Sequence, residues 1–137
     1  ATGVHVSQTS YAEDMATYST PQWWLIQHGL PTNDIGALYD DGDGMPAWQE
    51  YFADTDPMDT NSVLRITTIS TESGGLRLQW VGGIEANQYL EGRTNLAATG
   101  SAWFVIASNI PPTPISTNRL VNPGNTNVLF YRIRVSR

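Results

Sequence analysis

The second half of the chain alternates apolar and polar residues, and this alternation constrains the fold more than any other feature of the sequence. From Val63 onwards, apolar side chains recur at every second position in short segments. In residues 76–81, for example, Leu76, Leu78 and Trp80 lie on one face of the predicted strand, and the residues between them lie on the other face. A period of two places one row of side chains against a core and the other against water, which is typical of antiparallel sheets.

Turn signals divide this half into six predicted strands. Pairs such as Gly74-Gly75 and Pro123-Gly124 mark positions where the chain reverses. The predicted strands cover residues 63–70, 76–81, 87–93, 103–107, 115–121 and 128–135. Short strands separated by frequent turns predict a mainly β fold, with an antiparallel β-sandwich over residues 63–137.

The residues before the sandwich lack this alternation and divide into two parts. Residues 1–19 are polar except for an alternating stretch around Val4 and Val6, which predicts an extended N-terminal arm. Residues 20–62 carry two sets of helix signals on either side of an acidic loop, so that they form a helix–loop–helix segment.

The helix signals in this segment are specific. Thr20 is the predicted N-cap, Pro21 the first helical residue, and Gly29 the C-cap. Residues 32–44 have the composition of a loop, and a second short helix is predicted from Pro46 to about residue 52.

Charge is distributed unevenly between the two halves. Residues 1–64 contain ten acidic residues and neither Arg nor Lys, whereas residues 65–137 contain three acidic residues and all seven Arg. The formal charges are therefore −10 and +4, within a net charge of −6. The acidic half favours binding of a cation, and scattered arginines do not form the clustered basic face of a nucleic-acid-binding protein. No apolar run approaches the ~20 residues that span a bilayer.

The acidic residues concentrate in a loop with the spacing of a calcium site. Calcium takes six to eight oxygen ligands on a backbone that turns sharply. Positions 3, 5, 6, 7 and 12 of an EF-hand-type loop are held by Asp41, Asp43, Gly44, Met45 (through its carbonyl) and Glu50. The sequence therefore predicts calcium as the cofactor.

The first ligand of this loop is left open by the sequence. Strict spacing puts Tyr39 at position 1, where a carboxylate is expected. Either the loop is one residue shorter and Asp40 is the first ligand, or Asp34 or Asp56 reaches the ion from outside the loop.

Several short stretches resemble a calcium-binding segment of exported planctomycete and verrucomicrobial proteins, which is similar to dockerin and thrombospondin type 3 loops. They are residues 22–31, 41–45, 48–51 and 55–57. In such proteins the segment often precedes a small β-sandwich, here with the patterns at 78–80 and 130–133, which resembles a fibronectin type III domain in outline. The resemblance implies export and calcium binding through Asp41, Asp43 and Glu50, and it implies no activity.

The residue inventory argues against catalysis. The chain has no cysteine, and neither of its two histidines belongs to a recognisable catalytic motif. His28 is interpreted as a packed, helix-ending residue. A start at Ala1, without an initiator Met, predicts a mature protein at the cell surface or outside the cell after removal of a signal peptide.

Two non-catalytic functions remain open. The favoured one is an extracellular structural protein that assembles into filaments, through head-to-tail attraction of the charged halves and addition of the N-terminal arm to a neighbour's sheet. The alternative is a carbohydrate-binding or adhesive module, in which exposed aromatic rings stack on a polysaccharide. Its candidate residues are Trp23, Tyr89 and Trp103, with Trp80 as a further candidate.

Overall fold

The chain folds into two compact units. A computed structural model describes residues 14–94, 102–122, 128 and 130–137. The first unit contains residues 14–51 and 55–63, and the second contains residues 52–54 and the described part of 64–137. Of the extended arm predicted over residues 1–19, residues 1–13 lie outside the described residues, and residues 14–19 contain a two-residue strand followed by a 3-10 turn. None of the helices in the described ranges is long and apolar enough to span a bilayer.

The first unit consists of short elements. A two-residue strand β1 pairs antiparallel with β2 across a 3-10 turn at Thr17–Ser19. Three helices follow, the last of which runs into the second unit. The bounds are β1 Met15–Ala16, β2 Thr20–Pro21, α1 Gln22–Gln27, α2 Asp34–Ala37 and α3 Ala47–Ala53.

Helix α1 begins one residue later than the capping signals predict. The Thr20 hydroxyl donates to the carbonyl of Thr17, at 2.7 Å, instead of capping the helix. Thr20 and Pro21 also pair with β1, so their backbone is extended. Pro21 therefore occupies the N-cap position and Gln22 is the first helical residue.

The C-terminal end of α1 follows the prediction closely. Gly29 has a φ of +70°, which a glycine adopts without strain. Its N–H donates to the carbonyl of Ile26 and that of Leu30 donates to the carbonyl of Leu25, at 3.0 and 2.9 Å. This is the Schellman arrangement, in which the two residues after the helix satisfy its last carbonyls. Leu25 and Leu30 then pack into the core of the first unit, together with Trp24 and Ala47.

The loop predicted over residues 32–44 contains a helix that composition did not reveal. The side chain of Asn33 accepts a hydrogen bond from the N–H of Ile35 and starts the single turn of α2. Asn, Asp and Gly favour loops when read alone, but the same residues also cap helices. The prediction of continuous loop was wrong here for that reason.

The second unit confirms the predicted mainly β, antiparallel sandwich. Its strands form two three-stranded antiparallel sheets, in the orders β3-β4-β7 and β6-β5-β8. Their bounds are β3 Arg65–Glu72, β4 Gly75–Val81, β5 Asn87–Arg93, β6 Phe104–Asn109, β7 Ser116–Val121 and β8 Phe130–Ser136.

The two sheets pack through the apolar rows that the alternation indicated. Leu78 and Trp80 from one sheet contact Leu90 from the other, and all three are buried. A polar side chain completes this core: Gln88 accepts a hydrogen bond from the indole N–H of Trp80, at 2.9 Å, and its Nε2 donates to the carbonyl of Gly83. A buried amide is stable in such a core because its hydrogen-bonding groups are paired.

We predict that Gln88→Ala lowers the free energy of unfolding by about 1–3 kcal/mol, because the Trp80 indole and the Gly83 carbonyl lose their buried partner. Urea denaturation followed by tryptophan fluorescence measures this. Gln79→Ala is the control, since Gln79 is half-buried outside the core and its loss should change stability by less than about 0.5 kcal/mol. Equal effects of both substitutions would contradict the prediction.

Candidate metal centre

The acidic loop is held in shape by its own carboxylates. Oδ1 of Asp40 accepts hydrogen bonds from the N–H groups of Gly42 and Gly44, at 2.7 and 3.2 Å. Oδ1 of Asp43 accepts from the N–H of Met45, also at 2.7 Å. Each carboxylate therefore folds the backbone with one oxygen and has a second oxygen left for another partner.

Glycine is required at two positions of this loop. Gly42 and Gly44 have φ angles of +113° and +89°, in the region that other residues rarely adopt. After these turns the N–H of Ala47 donates to the carbonyl of Tyr39, at 2.7 Å, and α3 begins. The loop thus closes on itself immediately before the helix that carries Glu50.

Three aspartates of the loop converge. One carboxylate oxygen each from Asp40, Asp41 and Asp43 lie within 4.8 Å of one another. Glu50 is fully buried on α3 and lies within electrostatic reach of Asp41 and Asp43. The structure therefore brings three of the carboxylates that the sequence singled out close together, including Asp40, and places Glu50 within electrostatic reach of two of them.

The electrostatics of this cluster are unfavourable without a cation. Five of its carboxylate oxygens are buried and have no hydrogen-bond partner within the described residues: both of Asp41, Oδ2 of Asp43 and both of Glu50. Burial and the charges of Asp43 and Asp41 raise the pKa of Glu50 to about 8. Burial, together with the neighbouring charge of Asp43, also raises the pKa of Asp41, although the nearby backbone N–H of Asp43, outside strict hydrogen-bonding geometry, opposes this shift. Glu50 and Asp41 are therefore each held near carboxylates that oppose their ionisation.

The remaining predicted ligands occupy different places. Asp34 is the first residue of α2 and accepts a hydrogen bond from the Thr17 hydroxyl, so it lies outside the converging group. Asp56 accepts from the N–H of Met58, at 3.0 Å, and its charge contributes weakly to the shift at Glu50. The N–H of Met45 is fixed by Asp43, and its carbonyl as a ligand stays a prediction.

Two residues near the cluster were missed at the level of sequence. The Thr55 hydroxyl is buried and opposes the raised pKa of Glu50, although the two groups are outside hydrogen-bonding geometry. Asp59 adds a further negative charge that acts on Asp41. Asp59 could have been found only from the general excess of acid in this half of the chain, because it belongs to no spacing motif.

The donor set suits a hard cation. All of its candidate atoms are oxygens, and the chain has no cysteine to provide a soft ligand. The five unpartnered oxygens, an oxygen of Asp40 and a backbone carbonyl would approach the six to eight ligands that calcium takes. The residues present therefore fit calcium in both number and chemistry.

The aromatic rings proposed for sugar binding are engaged in other contacts. The Arg134 guanidinium lies 4.3 Å from the ring centre of Tyr89, and that of Arg132 lies 4.2 Å from Trp103. Both arginines donate from Nε to Glu91, at 3.0 and 2.8 Å. Burial raises the pKa of Glu91, but these hydrogen bonds outweigh it, and the pKa lies below its ordinary value. We call Arg132, Arg134 and Glu91 the arginine ladder.

The other two aromatic candidates differ in their exposure. Trp80 is in the core of the second unit and is 1% exposed. Trp23 is 40% exposed and meets Tyr51 edge to face, with ring centres 6.4 Å apart. His28 packs against Trp24, with its Nδ1 2.9 Å from the carbonyl oxygen of that residue. Trp23 is thus the candidate whose ring is most accessible.

Comparison of the chain with protein-family models, with curated proteins and with solved structures found no match.

We predict that the metal-free protein loses stability as the pH rises from about 4.5 to about 8. The pKa of Glu50 is raised in the folded state, from its ordinary 4.5 to about 8, so the folded protein retains a proton that the unfolded chain releases. The resulting stability is fully present below 4.5 and is lost by 8. Urea denaturation in EDTA at pH 5 and pH 8 measures the difference.

Glu50→Gln removes this dependence because its amide does not ionise. The variant should be more stable than the wild-type protein at pH 8 in EDTA, and its stability should change less between the two pH values. Glu85→Gln is the matched control, since Glu85 is exposed. Parallel pH profiles for the wild-type protein and Glu50→Gln would show that the buried carboxylate carries no such penalty.

Proposed function

We propose that the protein is a non-catalytic, extracellular structural protein that is stabilised by calcium and assembles into filaments at the cell surface. The observation that carries the calcium part is the set of buried, unpartnered carboxylate oxygens of Asp41, Asp43 and Glu50. A buried carboxylate without a partner costs several kcal/mol, and a divalent cation offsets this cost by bringing charge and coordination to all of them.

The ion has a structural role in this proposal. Glu50 lies at the centre of α3, and the N–H of Thr55 donates to its carbonyl, at 3.0 Å. A ligand on the helix and two ligands on the preceding loop would connect segments that no disulfide joins. Folding and ion binding are then coupled, because the unfolded chain does not hold these oxygens together.

The assembly part of the proposal is supported by the opposite charges of the two halves and by the exposure of two arginines. The acidic and basic halves of the chain attract one another between copies, and a contact between different faces forms an open filament when it does not close. The side chains of Arg132 and Arg134 are each 44% exposed on the outer face of β8. The acidic half contains no Arg or Lys that would oppose such a contact.

We predict that EDTA lowers the melting temperature of the protein, by about 10 °C if calcium is present at about 100 times its Kd. That concentration stabilises a folded protein by about 2.7 kcal/mol, and a chain of this size loses a few degrees per kcal/mol. Differential scanning calorimetry with and without calcium measures the shift. An unchanged melting temperature would reject the calcium site.

Asp43→Ala and Glu50→Ala should abolish the response to calcium, since each removes a ligand of the cluster. Glu85→Ala should retain the full response, because its carboxylate is exposed in the second unit. Magnesium at equal concentration should stabilise less, because it prefers six ligands in a stricter geometry than this oxygen-rich site provides. A response to calcium that survives both ligand substitutions would place the ion elsewhere.

We predict that removal of residues 1–10 leaves the calcium-bound protein monomeric, because the N-terminal arm can no longer add to a neighbour. Sedimentation velocity and negative-stain electron microscopy of both chains in calcium measure this. Replacing Thr9 and Ser10 with Asp is the control, since it keeps Val4 and Val6 in place. Filaments of the truncated chain would show that the arm has no part in assembly.

A further inference from the structure

We propose that the side of the sandwich between β3 and β8 accepts the N-terminal arm of a second copy of the chain, which adds to the open edge of β8 as a strand. The arm is defined here as residues 2–7, and the acceptor groove by Ile69 of β3 with Tyr131, Ile133 and Val135 of β8. The proposal depends on the self-assembly proposed above and identifies where that contact forms.

The two lateral sides of the sandwich differ. At β6 and β7, the Asn109 side chain donates to the Thr117 hydroxyl, at 2.9 Å, and Arg119 donates to the carbonyl of Ser108, at 3.0 Å. These bonds join one sheet to the other and close that side. The backbones of β3 and β8 approach one another, but no hydrogen bond or ion pair joins these two strands among the described residues, and this side is called open in that sense.

Core-facing residues on the open side are incompletely covered. Ile69 pairs with Leu78 across the sheet, so both side chains point the same way, yet Leu78 is 0% exposed and Ile69 is 49% exposed. Ile133 pairs with Leu90 in the same manner, and it is only half-buried where Leu90 is 0% exposed. An apolar row that faces the core but remains exposed indicates that a further strand would fit beside it.

The edge of β8 is suited to receive that strand. Within the described residues β8 pairs only with β5, so the backbone groups along its other edge have no strand partner. The hydroxyl of Tyr131 is also buried and has no hydrogen-bond partner in the part of the chain that is described. A strand added at this edge would bring backbone donors and acceptors to the unpaired backbone groups of β8.

The arm has a sequence that suits this edge and carries no Arg or Lys that would repel the arginines of β8. Thr2, Val4 and Val6 are β-branched and alternate with smaller or polar residues, which fits a half-buried strand. Residues 1–13 contain no Arg or Lys, whereas the outward row of β8 carries Arg132 and Arg134. Thirteen extended residues reach roughly 43 Å, and a seven-residue strand such as β8 spans about 24 Å. The arm is therefore long enough to cover the edge.

Photo-crosslinking of the full chain tests the proposal. His5 is replaced by the photoreactive residue p-benzoylphenylalanine, and the protein is mixed with an equal amount of ¹⁵N-labelled wild-type chain in calcium. The isotope label distinguishes a crosslink between copies from one within a copy, and mass spectrometry of the digested product locates it. We expect crosslinks between copies that fall within residues 130–137.

Four results would overturn the acceptor site. Crosslinks only within a copy would show that the arm occupies its own chain, and crosslinks concentrated on β6, β7 or the first unit would place the contact elsewhere. Filaments that form without a crosslink to β8 would reject this site but leave the proposed assembly intact. Protein that neither forms filaments nor crosslinks between copies would reject the assembly itself, and the acceptor site with it.

Substitutions on both sides of the contact provide an independent test. Ile69→Glu places a charge in the groove and should weaken assembly about tenfold or more. Val105→Glu is the matched control, because Val105 is 51% exposed on β6 and lies away from the open side. In the arm, Val4→Asp with Val6→Asp should have the same effect as Ile69→Glu. Equal assembly by Ile69→Glu and Val105→Glu, with unchanged melting temperatures, would contradict the proposal.

Discussion

Repulsion among buried carboxylates is the constraint on which the first unit depends. Glu50 is fully buried on α3, and Asp41 and Asp43 lie within its electrostatic reach on a loop whose turns at Gly42 and Gly44 need the positive φ angles that glycine adopts without strain. No Arg or Lys in the first 64 residues can neutralise this charge. The arrangement of the helix, the loop and the segment at Thr55 therefore costs free energy that a proton or a cation would reduce.

The sandwich and the convergence of the loop carboxylates follow from the sequence, because both depend on local spacing. Alternation alone places Leu78 and Trp80 on one face, and the distance along the chain from Asp41 to Glu50 predicts that a helix will bring them together. The start of α1 does not follow, because Thr20 is drawn into a pairing with β1 that competes with capping. The predicted start of α1 was wrong because Thr20 can either cap the helix or pair with β1, and it pairs with β1.

Contacts between strands that are far apart in the sequence could not be predicted from the sequence alone. Tyr89 and Trp103 are aromatic residues of the kind that stack on sugars. Arg134 instead stacks on Tyr89, and Arg132 on Trp103, from a strand more than twenty residues away in the sequence. The difference between the closed side and the open side of the sandwich has the same origin. It depends on which side chains reach across two sheets, and a pattern of period two carries no information about that.

The arginine ladder has a mechanical consequence for β8. Arg132 and Arg134 are two residues apart and hold the same carboxylate of Glu91, so the strand is fixed in its register on β5 from the outer face. A slip of one residue would turn the apolar row outwards, and a slip of two would leave one arginine without its carboxylate. An edge strand held in this way resists sliding when force is applied along it. A force along β8 would have to break both ion pairs and the backbone hydrogen bonds to β5 at the same time.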